Sequence, residues 1–452
     1  MFRRSTKAIV DIRKDTSPGV DSLSAELLHL CAEVVSGELL AILNSCLRLG
    51  FFPTSWKEAR VCIARKPKKD SYQDVKSYRP ISVLNTLSKV FEKIIHKRLT
   101  WLAVEHTWFS DRQHAFLESR STETAIHTLT NFVEQNFSNK MHTAAAFLDI
   151  SGAFDSAWPP SIVSALTKKG CPLYLTKLIY SFLKHRAAIL KADDGSTLYH
   201  KIEIGCPQGS VLSPFLWNVL VDDPIRRLFP FLFLIIAFAD DLTLLAADKD
   251  PVVATKNLQV MSDAIIDETN QILIDINARK TSFLVFNRTN LGLPELHLEI
   301  NNTIVQPTNH CRYLGLEIDN KLTWKRHISM KCVSVKAMVY SLQRYLRMTW
   351  GLDYKTLQLY YNAVIIPTMV YCVSVWVSAL KFKWCKNMLR AVQRLVSKSM
   401  VRSFKSVSTP ALIVLSNTLP IELKAIEIAT TRILSMQDNT LSPLQKSHKL
   451  GF

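Results

Sequence analysis

The sequence lacks the paired cysteines that mark many metal and redox sites. Its nine cysteines are scattered through 452 residues, and no two of them stand at C-x-x-C spacing. Neither a zinc site nor a thiol–disulfide exchange motif is therefore predicted. Because the number of cysteines is odd and no secretory signal is visible, we expect a reducing, intracellular compartment rather than secretion.

Long apolar segments and repeats are also missing. The N-terminus, "MFRRSTKAIVDIRKD", has no long apolar core, and the run from Leu228 to Ala239 ends next to two acids. That run is too short to cross a bilayer, so neither a transmembrane helix nor a membrane partner is expected. No internal repeat or low-complexity segment stands out, which argues against a repeat architecture.

Positive charge, in contrast, is abundant. Lys and Arg number 56 against 38 acidic residues, and the formal net charge is +18. This excess favours a polyanionic partner, either nucleic acid or an anionic membrane. Hydrophobic residues make up 48% of the chain, which is long enough for two or three domains with their own cores.

The spacing of apolar residues predicts a mixed fold. The break "SPG" at 17–19 precedes one amphipathic helix, and a second follows the basic stretch 64–80, which is typical of a solvated surface loop. Short apolar runs at 143–151, 282–286 and 313–319 predict strands. From Trp324 onward the pattern is mostly helical and basic, so we expect an α+β core followed by a helical domain. The predicted apolar faces of the two helices are Leu23, Leu27, Leu30 and Val34, and Val83, Leu87, Val90, Ile94 and Ile95.

Three acids stand at the ends of apolar strands. Asp149 closes one run, and Asp240 and Asp241 lie between two others that predict a β-hairpin with the acids at its tip. If these strands are neighbours, the carboxylates converge and need cations to stay ionised. Mg²⁺ prefers such oxygen ligands together with phosphates, so the pattern predicts a two-metal site for phosphoryl transfer. We interpret the two other pairs, Asp193-Asp194 and Asp222-Asp223, as surface or helix-end acids.

A series of blocks follows in order along the chain: "YRPISVLNTLSKVFEKIIHKRL", "QHAFLESRSTETAI", "FLDISGAFDSAW", "GCPQGSVLSPFLWNVLVDD", "FADD", "INARKTSFLVF" and "YLGLEIDNKLTWKRHI". This series resembles the reverse transcriptases of non-LTR (LINE-type) retrotransposons, in particular the jockey- and I-like elements of animals. "FLDISGAFDSAW" looks like their motif A, the "PQG" block like motif B and "FADD" like motif C. The segment 391–429 resembles the one found after the thumb in these elements.

The resemblance implies a right-hand polymerase of the α+β class, with fingers, a palm built on an antiparallel sheet and a helical thumb. It also implies the activity of an RNA-directed DNA polymerase. The implied domains are an N-terminal extension at 1–46, fingers and palm at 47–318, a thumb at 319–400 and a post-thumb helical segment at 401–452.

The resemblance assigns the metal site to particular residues. Asp149, Asp240 and Asp241, with the backbone carbonyl of Ile150, would bind two Mg²⁺ ions, or Mn²⁺. The primer 3′-hydroxyl would attack the α-phosphate of the incoming nucleotide, and pyrophosphate would leave. The implied partners are an RNA template, a DNA primer and deoxynucleoside triphosphates.

Three further residues are implied around the nucleotide. Phe154 would lie under the sugar and crowd a ribose 2′-hydroxyl, although spacing alone favours a core aromatic. Gln208 and Gly209 would line the template–nucleotide pocket, with Gly209 letting backbone approach the nucleic acid. The alternative for this stretch is a plain turn.

Basic residues complete the implied site. Lys66 and Arg79 would neutralise the triphosphate, and Lys280 would protonate the departing pyrophosphate. A surface lysine is the simpler interpretation of Lys280. The basic helices after Trp324 would grip the template–primer backbone as a thumb, or would be solvated amphipathic helices.

The chain departs from the family pattern in two ways. Ala115 and Ser22 stand where Gly is usual, and the family's endonuclease and zinc-knuckle or RNase H domains have no counterpart in the sequence. We therefore expect a truncated copy or partial gene, with endonuclease activity supplied from elsewhere and a nuclear or cytoplasmic location. Two alternatives to the DNA polymerase stay open. One is a catalytically idle remnant that binds nucleic acid, and the other is an RNA-dependent RNA polymerase, which Phe154 disfavours.

Overall fold

The computed structural model describes residues 12–67, 71–192, 194–288, 295–343 and 352–440. In the first half of the chain, helices alternate with strands. The helices are α1 (Ala25–Leu30), α2 (Ala32–Leu49), α3 (Thr86–Glu105), α4 (Thr122–Ser138), α5 (Ala153–Ser156), α6 (Pro159–Lys168), α7 (Leu173–Leu183) and α8 (Ser213–Ile225). The strands are β1 (Glu58–Arg65), β2 (Tyr78–Leu84), β3 (His142–Asp149), β4 (Arg186–Lys191), β5 (Thr197–Ile202), β6 (Phe233–Phe238) and β7 (Asp241–Asp248).

The second half changes from strands to helices. After the long helix α9 (Pro251–Gln271) come β8 (Ser282–Phe286), β9 (Leu298–Ile300), β10 (Thr303–Val305), β11 (Pro307–Thr308), β12 (His310–Tyr313) and β13 (Leu316–Asp319). The remaining helices are α10 (Lys325–Gln343), α11 (Tyr354–Tyr360), α12 (Ile366–Met369), α13 (Val373–Trp376), α14 (Lys383–Met400), α15 (Thr409–Leu415) and α16 (Ile421–Thr440). The predicted change to a helical region near Trp324 is therefore confirmed.

The central sheet has five strands in the order β11-β8-β3-β7-β6. β3 pairs antiparallel with β7 and β8, and β7 pairs antiparallel with β6. Alternate residues of β3 enter different cores, because side chains of a strand point to opposite faces. Ala144 and Ala146 pack with α9, whereas Ala145 and Phe147 pack with α4 and the C-terminal helices. Both faces are covered, which explains why β3 reads as an uninterrupted apolar run.

The outer sheet has four strands in the order β2-β1-β4-β5. β1 pairs antiparallel with β2 and parallel with β4, and β4 pairs antiparallel with β5. The basic stretch 64–80 is only partly a loop, since it contains the end of β1, a 3-10 turn at Val75–Ser77 and the start of β2. Within it, residues 68–70 lie outside the described residues.

The C-terminal helices close one face of the central sheet. Ile365, Trp376 and Leu389 are buried in the same cluster as residues of β3, β7 and β8. Arg432 of α16 donates to Glu123 of α4 at 2.9 Å, so α16 is tied to a helix far away in sequence. Within the described residues no single helix has both the length and the apolar composition of a membrane span, whereas the bent pair Tyr354–Met369 and Val373–Lys381 meets both criteria together.

The predicted apolar face of the first helix is wrong. Leu27, Leu30 and Val34 are exposed, Leu30 at 79% and Val34 at 80%. The chain forms two helices that meet at Cys31, and a different set of residues, continuous at three- and four-residue spacing across that break, faces the core. The stripe that is buried consists of Ala25, Leu28, Ala32, Ser36, Leu39 and Leu43.

Two other segments differ from the predicted pattern. Val83 belongs to β2 and not to the helix that follows it, where Val90 and Ile95 are buried. The run 313–319 is a hairpin rather than one strand, because Leu314 and Gly315 form its turn with φ of +44° and +83°. The predicted strands 143–151 and 282–286 are confirmed as β3 and β8.

Candidate active site

Asp149 and Asp241 face each other across neighbouring strands. The antiparallel register of β3 and β7 pairs Asp149 directly with Asp241, and β6 pairs Phe238 with Asp241. Directly opposed residues of an antiparallel pair present their side chains on the same face. The predicted convergence of two of the three carboxylates therefore follows from the strand register.

The third carboxylate, Asp240, lies in the hairpin turn between β6 and β7. Its predecessor Ala239 has φ of +56°, a left-handed conformation that is strained for a residue with a Cβ. Two contacts hold this turn: Trp217 Nε1 donates to the Ala239 carbonyl at 2.8 Å, and Ile150 N donates to the Asp240 carbonyl at 3.3 Å. The turn is thus fixed to α8 and to the residue after β3.

Negative charge accumulates where the end of β3 meets the turn between β6 and β7. Burial raises the pKa of Asp241 to about 6, and repulsion from Asp240 and Asp149 adds to the effect, which Lys280 partly offsets. Lys280 Nζ lies 2.7 Å from Asp149 Oδ2 and is the nearby cation. A site that holds excess negative charge on oxygen atoms suits a hard divalent ion.

The acids do not form a closed metal cage. In the part of the chain that the structure describes, no three His, Cys, Asp or Glu side chains are gathered tightly enough to hold an ion by themselves. Mg²⁺ is usually bound by one or two carboxylates and completed by phosphate oxygens and water, so the donor set still fits this ion. The backbone carbonyl of Ile150 is close to this set, because Ile150 directly follows Asp149.

The loop at 205–212 is held against the segment that follows β3. Gln208 Nε2 donates to both carboxylate oxygens of Asp155, at 2.8 and 2.9 Å, and the Gln208 carbonyl accepts from Ser82 N at 2.7 Å. Gly209 has φ of +114°, and a Cβ there would lie 2.7 Å from the Ser82 carbonyl. The loop is therefore more than a plain turn, since it is docked on β2 and on the segment after β3.

Phe154 belongs to an aromatic cluster next to that loop. Its ring lies 5.8 Å from Trp217 and 6.3 Å from Phe116, centroid to centroid. It is only partly buried, and it packs at the edge of a core cluster. This packing agrees with the interpretation of Phe154 as a core aromatic that supports α8, and its role under the sugar stays a prediction.

The remaining predicted residues stand on the outer sheet and its neighbours. Lys66 follows β1, and its Nζ donates to the Lys76 carbonyl at 2.9 Å. Arg79 is exposed on β2, opposite Ala64. The roles of Lys66 and Arg79 toward a triphosphate stay predictions, as do the domain boundaries drawn from the sequence.

Two buried acids were missed or misjudged from the sequence. Glu92 of α3 is fully buried and accepts hydrogen bonds from the loop at 210–212. Asp222 is not a surface acid: it is fully buried in α8, where it accepts from Lys169 Nζ at 2.6 Å and from Ser110 N at 2.7 Å. The apolar residues around Asp222, in "FLWNVLVDD", were the available signal that α8 is buried on all sides.

Comparison with known proteins agrees with this geometry. The family model "Reverse transcriptase (RNA-dependent DNA polymerase)" matches residues 66–318. The chain is similar to the "Probable RNA-directed DNA polymerase from transposon BS" of Drosophila melanogaster, with 27% identity over 86% of this chain and 43% of the relative. It is also similar to the "RNA-directed DNA polymerase from mobile element jockey" of the same organism, with 32% identity over 69% of this chain and 34% of the relative.

Among solved structures, the apo telomerase from Candida tropicalis aligns with 12% identity and a TM-score of 0.47, over 92% of this chain and 73% of that chain. The chain spans less than half the length of the transposon BS and jockey relatives. The predicted fold class, an α+β right-hand polymerase, is confirmed by the family match. The predicted kinship with jockey-like non-LTR retrotransposon enzymes is confirmed as well. The chain belongs to the reverse transcriptase (RNA-dependent DNA polymerase) family.

Proposed function

We propose that this chain is an RNA-directed DNA polymerase that copies retrotransposon RNA into DNA from a primer 3′-hydroxyl. The observation that carries the proposal is the cross-strand pair Asp149 and Asp241, with Asp240 in the adjoining turn, inside a reverse transcriptase domain. Its substrates would be an RNA template, a DNA primer and deoxynucleoside triphosphates. Use of its product as chromosomal DNA would require access to the nucleus.

Asp149, Asp240 and Asp241, with the Ile150 carbonyl, would hold two Mg²⁺ ions, which when bound activate the attacking hydroxyl and stabilise the leaving pyrophosphate. Asp241 must be ionised for this role. Burial opposes its ionisation, so the nearby positive charge of Lys280 assists it in the free protein.

The chain's own side chains would orient the nucleotide. Gln208, held by Asp155, would line the template–nucleotide pocket together with Gly209, whose close contact with Ser82 sets the position of the loop. The accessible part of the Phe154 ring would exclude a ribose 2′-hydroxyl. Lys66 and Arg79 would pair with the triphosphate, for which the guanidinium of Arg79 offers two parallel donors.

Lys280 would act at the end of the reaction. Its ammonium group is 2.7 Å from Asp149 Oδ2 and its side chain is 61% exposed, so it can exchange this contact for a phosphate oxygen. It would then donate a proton to the pyrophosphate as that group departs.

Substrate choice tests the proposal. The purified chain should extend a DNA primer on an RNA template with deoxynucleotides and Mg²⁺, and much less with ribonucleotides. Preferential use of ribonucleotides would show an RNA polymerase instead. A chain that binds the duplex but extends it with neither nucleotide class would be a nucleic-acid-binding remnant.

A further inference from the structure

A buried carboxylate joins α3 to the loop that precedes α8. Glu92 is fully buried. It accepts from Ser88 Oγ at 3.1 Å on its own helix, from Ser210 Oγ, from Val211 N at 2.9 Å and from Leu212 N at 3.5 Å. Three of these four donors belong to the loop, more than 115 residues away in sequence.

These contacts place the carboxylate at the start of α8. The residue before this helix, Leu212, provides no side-chain cap of its own. Immediately before α8, the Val211 amide donates to Glu92 Oε2 instead, and the Leu212 amide is shared between Glu92 Oε2 at 3.5 Å and Ser210 Oγ at 3.0 Å. A negative group beside the N-terminus of a helix is stabilised by the helix dipole, so Glu92 acts as a cap supplied from another part of the chain.

The helix that Glu92 caps carries contacts to the metal-site hairpin. Trp217, four residues into α8, donates to the Ala239 carbonyl and packs on Phe154. The loop before α8 carries Gln208 and Gly209, which dock on Ser82 of β2. Since α3 directly follows β2, one segment of the fingers holds this loop at two points, at Ser82 and at Glu92.

We propose that Glu92 is a positioning residue for nucleotide addition: it fixes the 208–212 loop and α8, and through Trp217 the turn of the FADD hairpin. The inference rests on the proposed polymerase function. Glu92 does not touch substrate, and its effect on catalysis passes through the loop.

Two neighbouring serines separate this role from a general contribution to folding. Ser210→Ala removes a donor that belongs to the loop, whereas Ser88→Ala removes one that belongs to α3 itself. Glu92→Gln keeps the size of the side chain but turns two of its acceptor sites into N–H donors, which oppose the loop's own donors. A positioning role predicts that Glu92→Gln and Ser210→Ala both raise KM for the deoxynucleotide and that Ser88→Ala does not.

The experiment combines two readouts on the full chain. Hydrogen exchange should show the Val211 and Leu212 amides exchanging about 10-fold faster in Glu92→Gln, because a hydrogen bond to a charged group is lost. Single-nucleotide incorporation should show KM for the deoxynucleotide raised on the order of 10-fold in Glu92→Gln and less in Ser210→Ala, with duplex affinity within about twofold of the unsubstituted chain. The double variant Glu92→Gln/Ser210→Ala should be no worse than Glu92→Gln alone, since both remove the same link.

The results that would contradict the positioning role differ from those that would contradict the polymerase function. Unchanged exchange at 211–212 in Glu92→Gln, or equal defects in Ser88→Ala and Ser210→Ala, would overturn the positioning role. If Glu92→Gln fails to fold, Ser210→Ala against Ser88→Ala decides the question alone. If the unsubstituted chain adds no nucleotide, the polymerase function is wrong and the kinetic part of the inference falls with it, whatever the exchange rates show.

Discussion

Lys280 Nζ lies 2.7 Å from Asp149 Oδ2, which places the last residue of a short 3-10 helix, Ala278–Lys280, on the first carboxylate of the site. The contact joins two segments separated by 131 residues. It also supplies positive charge where three acids meet, and it keeps a proton donor within reach of any phosphate bound to those acids. The same lysine therefore offsets negative charge in the free protein and would act in the last step of the proposed reaction.

Replacing Lys280 should slow nucleotide addition. Lys280→Ala removes the proposed proton donor, and general acid catalysis contributes about 10²- to 10⁴-fold, so we expect at least a 100-fold lower kcat. Duplex affinity should change by less than about threefold, because one exposed charge is lost. Rapid-quench incorporation of a single nucleotide measures both. Arg279→Ala, in the same short helix, is the matched control and should keep most of the activity; equal rates for the two variants would refute the role of Lys280.

Shortening Phe154 should relax the choice of sugar. Phe154→Ala should raise ribonucleotide incorporation relative to deoxynucleotide incorporation on the order of 10- to 100-fold, because the ring no longer fills the space of a 2′-hydroxyl. Competition between the two nucleotides in one reaction gives this ratio. Phe154→Tyr keeps the ring and should leave the ratio nearly unchanged. An unaltered ratio in Phe154→Ala would mean that the ring does not exclude the 2′-hydroxyl and serves only in packing.

Gly209 should tolerate no Cβ. Gly209→Ala would add strain at φ of +114° and bring the new atom 2.7 Å from the Ser82 carbonyl, so the loop must move. Primer extension should fall at least about 10-fold, the effect of a misplaced pocket. Gly195→Ala is the control, because φ there is +83° and no atom lies within 4 Å of the added Cβ. Comparable activity in both variants would mean that the contact with Ser82 does not set the loop's position.

The fold is predictable from sequence where one periodicity persists through an element. β3 and the FADD hairpin follow directly from uninterrupted apolar runs that end in acids. The first helices are not predictable in this way, because their apolar residues lie on more than one face and the sequence does not show which face packs on the core. A different limit applies to 313–319, where a two-residue turn divides a continuous apolar pattern.

Some residues of the candidate site can likewise be predicted from the sequence, and others cannot. The convergence of Asp149 and Asp241 is predictable because strand ends carry it, whereas Glu92 is not, because its partners are backbone amides of a distant loop. A buried acid that is held by backbone groups leaves no partner pattern in the sequence. Asp222 was misjudged for a related reason: Arg226 is four residues on, but the two partners that bury it, Lys169 and Ser110, lie far away along the chain.

Two buried histidines predict a loss of stability in mild acid. Burial lowers the pKa of His114 and of His327 to about 4. In the unfolded chain each would titrate near its ordinary value of about 6.5, so the unfolded state binds protons first. Stability should therefore be greatest above about pH 6.5 and fall as the pH drops toward 4, by at most about 3 kcal/mol for each histidine.

Urea unfolding at pH 7, 6 and 5 measures this slope. His327→Gln should flatten it by removing one titrating group, whereas His310→Gln, at an exposed position, should not. The same slope in His327→Gln as in the unsubstituted chain would show that His327 does not take up a proton on unfolding.

The measurement that tests the account most directly is primer extension by the purified chain on an RNA template, with a DNA primer, deoxynucleotides and Mg²⁺, beside Asp240→Asn. Duplex binding is recorded for both proteins. The account predicts extension by the unsubstituted chain, its loss on chelation of Mg²⁺, and no extension by Asp240→Asn at unchanged duplex affinity. Salt-sensitive binding without extension by either protein would contradict it and leave a nucleic-acid-binding chain whose FADD hairpin performs no chemistry.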